Sequence, residues 1–131
     1  MIVRGRDVLL VRRGSEPLRG RWSVPGGKVL WGERLQDAVV RETREETAVT
    51  VAPRDVLLVL ELIEGAEAPG GHHFVVVDYR CDYVAGEVHA GSDAEAAAWV
   101  ARDDLGGYDL TESMLAVVTE AFRRTPHEES P

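Results

Sequence analysis

The chain has 131 residues, enough for one domain with its own core and too few for two. Its formal net charge of −8, from 15 Lys and Arg against 23 Asp and Glu, comes without any basic stripe and argues against a nucleic-acid polymer as partner. The lone cysteine, Cys81, excludes an intrachain disulfide, no apolar run approaches the ~20 residues of a membrane span, and no signal-peptide pattern opens the chain; a cytoplasmic setting is expected, with no membrane partner.

Two β-rich runs, Met1 to Val3 and Val8 to Arg12, flank Arg4-Gly5-Arg6-Asp7 and predict a hairpin. Its first strand is short, because the chain opens almost inside it. From Arg13 to Ser23 the chain reads as a loop, broken by Pro17 and Gly20. Arg13, Arg19 and Arg21 in this loop are either solvated charges or clamps for a substrate phosphate, which suits guanidinium geometry. Trp22 reads as a packing residue.

Val24-Pro25-Gly26-Gly27 lets the backbone turn tightly and approach another group with no Cβ in the way. The stretch from Glu33 to Val49 lacks Pro and Gly and predicts a helix of about four turns. At 100° per residue one face collects Leu35, Ala38, Val39, Glu42, Glu45 and Glu46. The stripe begins apolar and ends in three carboxylates. A solvated face is the plain reading, with Arg41 and Glu45 at pairing distance. Against it, Glu42 and Glu46 lie one turn apart in line with Leu35 and Val39, where like charges repel unless a cation sits among them. A hard divalent ion, Mg²⁺ or Mn²⁺, suits such oxygen ligands. Acids at a helix C-terminus also oppose the macrodipole.

These residues resemble the Nudix box: a Gly, five residues, Glu, seven residues, Arg-Glu, an apolar residue, any residue, Glu-Glu, any residue, Gly and an apolar residue. Gly27, Glu33, Arg41, Glu42, Glu45, Glu46 and Val49 fall on it at the required spacing, within 23 of the 131 residues. Thr43 stands where an apolar residue is usual, and Ala48 where Gly carries the left-handed turn most cheaply. The resemblance implies an α/β/α sandwich with a mixed sheet between the box helix and a C-terminal helix. It implies metal ligands at Glu42, Glu45 and Glu46 with the Gly27 carbonyl, and a general base at Glu42 or Glu45. Arg41 is expected to orient Glu45, and Glu33 to brace the loop without taking part in chemistry. Family members usually carry several more residues ahead of the first strand.

Beyond the box, Pro53-Arg54-Asp55 predicts a turn, and the run Val56 to Ile63 a strand buried on both faces. A loop from Glu64 to Gly71 leads to a strand from His72 to Cys81, whose two adjacent histidines point to opposite faces and read as rim residues. Asp82 to Glu95 reads as a long connection, with Asp93 and Glu95 as candidates for an extra metal-binding, base or substrate-facing carboxylate. Ala96 to Val100 is a short strand, and the segment to Leu105 resembles the family's late strand and short helix. Thr111 caps a final helix, whose buried stripe is expected to be Met114, Leu115, Val118, Ala121 and Phe122.

The expectation is one domain over residues 1–124 with a flexible tail at 125–131. It hydrolyses the diphosphate of a nucleoside diphosphate linked to another moiety, ADP-ribose or a nucleotide sugar foremost. The competing readings are a nucleoside triphosphate pyrophosphohydrolase, a non-catalytic nucleotide-binding regulatory domain, and an interaction domain with an acidic helix. The partner is a small nucleotide, and a homodimer is compatible with the chain. On this reading Glu46→Gln cuts turnover by orders of magnitude with the fold intact, and Glu16→Gln is nearly silent.

Overall fold

The computed structural model describes residues 1–14, 19–64, 70–91 and 94–125. Glu16, Asp93 and the tail from Pro126 onward lie outside them, so the expectations placed there have no structural counterpart. The elements in chain order are β1 (Val3–Arg4), β2 (Asp7–Arg13), β3 (Trp22–Ser23), α1 (Leu35–Thr47), β4 (Thr50–Glu64), β5 (His72–Ala85), β6 (Ala94–Ala101), a 3₁₀ segment (Arg102–Tyr108) and α2 (Glu112–Arg124).

The opening hairpin forms as its turn chemistry predicts, with Gly5 at φ 61° between β1 and β2. β2 then pairs antiparallel with β3 and, along its whole length, with β6. β4 and β5 make a second antiparallel pair. A parallel bridge between Ile2 and Cys81 joins the two sheets, and Cys81 N–H donates to the Met1 carbonyl at 2.8 Å.

Alternation along the strands sorts the core into two layers. Val8, Leu10 and Val100 face α2, packing with Val117, Val118, Ala121 and Phe122. Leu9 and Ile2 face the other way, toward Val49, Val51, Tyr79 and Cys81, with Val39 and Val40 of α1 against them. The sheet therefore lies between the box helix and the C-terminal helix.

Several expectations change. The apolar run buried on both faces is β2, where Val8, Leu9, Leu10 and Val11 are all at most 4% exposed. The run in β4 is not: Val59 is 57% and Ile63 60% exposed. Pro53 to Asp55 is no turn but part of β4, which absorbs the irregularity as register shifts between Pro53, Val56 and Leu58. The connection read from Asp82 to Glu95 shortens, since β5 continues to Ala85 and β6 begins at Ala94.

The helices are also adjusted. α1 starts at Leu35, leaving Glu33 in the preceding loop, and Leu35 itself is exposed. Its buried positions are Ala38, Thr43 and Thr47. Thr47 can be buried because its hydroxyl donates to the Thr43 carbonyl at 2.6 Å and accepts from Val49 N–H at 3.2 Å. In α2, Thr111 caps Met114 N–H at 3.1 Å as expected, but Val117 is buried where Leu115 was expected.

Candidate active site

The last two turns of α1 are held from both ends. Ala48 adopts the left-handed conformation (φ 64°, ψ 6°) in place of the usual glycine, and its N–H donates to the Arg44 carbonyl at 2.9 Å. The loop after β5 then covers the helix end: His89 N–H donates to the Thr47 carbonyl and Gly91 N–H to the Glu46 carbonyl, each at 2.9 Å. A Cβ at Gly91 would collide with the Glu45 carbonyl, so only glycine permits this approach. The sequence reading missed this clasp. Its one trace is a glycine in a loop without a turn signature.

Glu42 and Glu46 are brought together against Gly26 and Gly27. Glu46 accepts from the Gly26 backbone N–H and shares a hydrogen bond with the Glu42 carboxyl. Its pKa is pushed up to about 7, chiefly by burial and then by Glu42, while the Gly26 N–H and the charge of Arg13 pull the other way. Gly27 packs so closely on Glu42 that a Cβ there would stand 2.7 Å from Oε1 and nearer still to Cδ and Oε2.

Arg41 ties the loop to the helix. Its Nε and Nη2 grip both Glu33 oxygens at 2.8 and 3.0 Å, Nη1 reaches Glu42 at 2.8 Å and Glu45 at 3.2 Å, and Nη2 also donates to the Lys28 carbonyl at 3.0 Å. Glu33 in turn accepts from Leu30 N–H at 3.1 Å, and Arg41 first, then this N–H, holds its carboxyl below the usual range. The same contacts raise Arg41 above its already high pKa. Glu33 is thus a loop brace outside the helix, and Arg41 orients Glu42 as well as Glu45.

A cleft of about 420 Å³ opens beside this pair, lined by Glu42, Glu46, Gly26, Gly27, Ser23, the apolar Val11, Val24 and Ala94, and the cations Arg12, Arg13 and Lys28. Of the loop arginines, Arg13 lines the cleft. Arg21 does not: its Nε is buried without a hydrogen-bond partner, and its carbonyl accepts from Arg13 N–H at 2.9 Å. Glu95 stands beside the cleft residue Ala94, and its oxygens are held by Arg12 Nε at 3.0 Å and Arg19 Nε at 3.1 Å. Both arginines, Arg19 foremost, lower its pKa. His73 pairs with Glu61 at 2.6 Å on the exposed ribbon of β4 and β5, outside the cleft lining.

The donor set fits a hard cation in chemistry. Two glutamates share one proton-bearing contact over a glycine cradle, and Glu45, half exposed, sits one residue away facing Arg41. Among the described residues no three such side chains yet converge on one point. Glu45 would have to leave Arg41 to complete such a set.

Known proteins resemble this chain in both sequence and fold. An ADP-ribose pyrophosphatase of Methanocaldococcus jannaschii is 33% identical over 105 residues, covering 80% of this chain and 60% of the relative. A Mycobacterium tuberculosis protein, named provisionally as 8-oxo-dGTP diphosphatase 2, is 38% identical over 109 residues, covering 82% of this chain and 74% of the relative. The crystal structure of a MutT NUDIX hydrolase from Burkholderia pseudomallei matches with a TM-score of 0.78 at 34% identity, covering 91% of each chain. The family model described as the NUDIX domain matches residues 1–122, and the chain belongs to that family.

Proposed function

We propose that the protein is a divalent-metal-dependent hydrolase of phosphoric anhydride bonds, acting on a nucleoside diphosphate linked to a second moiety. The observation that carries this is the Glu42–Glu46 pair lodged against Gly26-Gly27 at a cleft that Arg12, Arg13 and Lys28 also line. Acids and cations lining one cleft suit a metal-bound diphosphate better than either charge alone.

Glu42 and Glu46, with the carbonyl of Gly27, would hold Mg²⁺ or Mn²⁺. When bound, the ion neutralises phosphate charge and lowers the pKa of the attacking water. Arg12, Arg13 and Lys28, which line the same cleft, would bind the phosphate oxygens that the ion does not hold. Glu45, half exposed, tied to Arg41 only at 3.2 Å and outside the cleft lining, is the carboxylate that would turn in to take the water's proton as the P–O–P bridge breaks. Arg41 sets the direction of Glu42 and Glu45, and Glu33 sets Arg41. The products are a nucleoside monophosphate and the phosphorylated second moiety.

ADP-ribose or a nucleotide sugar is the favoured substrate, supported by the name of the M. jannaschii relative, of which the chain spans 60%. A nucleoside triphosphate split to the monophosphate and pyrophosphate is the second reading, supported by the name of the M. tuberculosis relative. Both are tested by one screen: ADP-ribose, nucleotide sugars and canonical and 8-oxo nucleoside triphosphates, each with Mg²⁺, Mn²⁺ or EDTA. Phosphate is read after an added phosphatase or pyrophosphatase. Metal-dependent cleavage strongest on ADP-ribose supports the first reading, and preference for a triphosphate supports the second. Nucleotide binding with no cleavage of any substrate overturns both in favour of a regulatory domain.

A further inference from the structure

The ladder between β2 and β6 is regular from Asp7↔Ala101 to Arg12↔Ala96 and then shifts, since Arg13 pairs with Ala94. Glu95 is the extra residue. A regular ladder would set it opposite Arg13, and the bulge leaves it without a cross-strand partner. Bulges re-aim side chains, and this one gives Glu95 to the neighbouring arginine. Glu95 Oε2 accepts from Arg12 Nε at 3.0 Å, and Oε1 from Arg19 Nε at 3.1 Å. Of the three side chains Glu95 is the least exposed, at 28% against 42% for Arg12 and 63% for Arg19. Arg12 lines the cleft, whereas Glu95 and Arg19 stand behind it.

We propose that Glu95 is a positioning residue for the substrate's phosphates, acting through Arg12 and not by touching the substrate. This deepens the hydrolase reading above and rests on it for the identity of the anion. The backbone of Arg12 is fixed between Trp22 of β3 and Ala96 of β6, so only its long side chain is left to order. An anchor at Nε removes part of that freedom before the substrate arrives. Nε is also the guanidinium nitrogen nearest the chain, so this contact leaves to the phosphate the two terminal nitrogens that fork onto an anion. Arg19 contributes charge. Two guanidiniums around one carboxylate leave one positive charge, so a phosphate reaching Arg12 meets a cation and not a neutralised pair. With each oxygen already held by an arginine, Glu95 is a poor acceptor for a water's proton, which separates this role from that of a general base.

The test is calorimetric binding of α,β-methylene-ADP, whose bridge cannot be hydrolysed, to the whole chain with Mg²⁺. It runs beside kcat and KM for the best substrate of the screen. Arg12→Ala should weaken binding at least ~10-fold. Glu95→Ala and Glu95→Gln should each weaken it about threefold to fivefold, and Arg19→Ala about twofold. KM should rise in step, with kcat within about twofold and the acidic limb of the pH–rate profile unmoved. The double variant Arg12→Ala/Glu95→Ala should bind no more weakly than Arg12→Ala, because Glu95 acts only through Arg12. Asp103→Asn, which breaks the exposed pair with Arg6 at 3.4 Å, is the silent control. Glu95→Gln keeps the side chain's shape and decides alone should Glu95→Ala fail to fold. Glu95 variants that bind as tightly as wild type, or more tightly, overturn the proposal. So do a collapse of kcat at unchanged KM, a double variant weaker than Arg12→Ala, or a wild type that does not bind the analogue. Binding without cleavage of any substrate sinks the hydrolase reading instead, and the order of the Kd values still decides the role of Glu95.

Discussion

Gly27→Ala isolates the contact on which the proposed site depends. The new Cβ would stand 2.7 Å from Glu42 Oε1 and nearer to Cδ and Oε2, where carbon and oxygen normally keep about 3.5 Å. Gly27 has no positive φ, so alanine meets no backbone strain, and the group that must move is the end of a flexible side chain. The Glu42 carboxylate therefore retreats by about 1 Å, and its 2.8 Å contact with Arg41 opens along with its contact to Glu46. A displacement of this size in a positioned group costs about 10²-fold, or ~2.7 kcal/mol of transition-state stabilisation. Stability should barely change, since Arg41 keeps Glu33 and the Lys28 carbonyl. The assay is kcat/KM for the best substrate of the screen at saturating Mg²⁺, with a thermal melt alongside. Gly107→Ala, where a Cβ meets open space, serves as the silent control. A Gly27→Ala enzyme within about threefold of wild type would refute the placement of Glu42 at the reacting centre.

Three further outcomes follow from the same geometry. Glu46→Gln should lower kcat/KM at least ~10²-fold and abolish the rise in Tm that Mg²⁺ gives wild type, while circular dichroism stays unchanged. In metal-free wild type the folded chain keeps the Glu46 proton up to about 7 and the unfolded chain releases it near 4.5, so the folded state binds more protons across this window and stability falls as pH rises through it. Melts of wild type and Glu46→Gln in EDTA should diverge in that sense, the stabilisation by Mg²⁺ growing from pH 5 to 8, and parallel curves would show that Glu46 ionises normally. Ala48→Gly should raise stability by about 1 kcal/mol, because alanine at φ 64° carries a left-handed cost that glycine does not; denaturant midpoints check this.

Much of the site was legible because it rests on helical spacing. Glu42 and Glu46 are one turn apart, and so are Arg41 and Glu45; a rigid element converts both spacings into the neighbours observed. Spacing cannot report what folds back onto the helix, so the grip of Arg41 on the Lys28 carbonyl and the clasp of His89 and Gly91 on the final turn were out of reach. Thr43 and Thr47 looked polar, yet the helix's own carbonyl satisfies the Thr47 hydroxyl and lets it enter the core. The β4 run misled for another reason. Continuous apolar sequence says that water is disfavoured along a strand, not that this chain alone excludes it, and in Val59 and Ile63 it does not. Buried β2 and exposed β4 carry the same pattern.

β2 has a consequence for how the protein comes apart. Val8 and Leu10 belong to the layer under α2, and Leu9, between them, to the layer under α1. The two helices share no core cluster, so in principle each could melt with its own layer. A strand whose successive side chains belong to opposite layers forbids this, because releasing one layer frees the backbone that positions the other. The acidic turn of α1 thereby inherits the stability of a helix on the far side of the sheet, and the domain should lose both in a single transition.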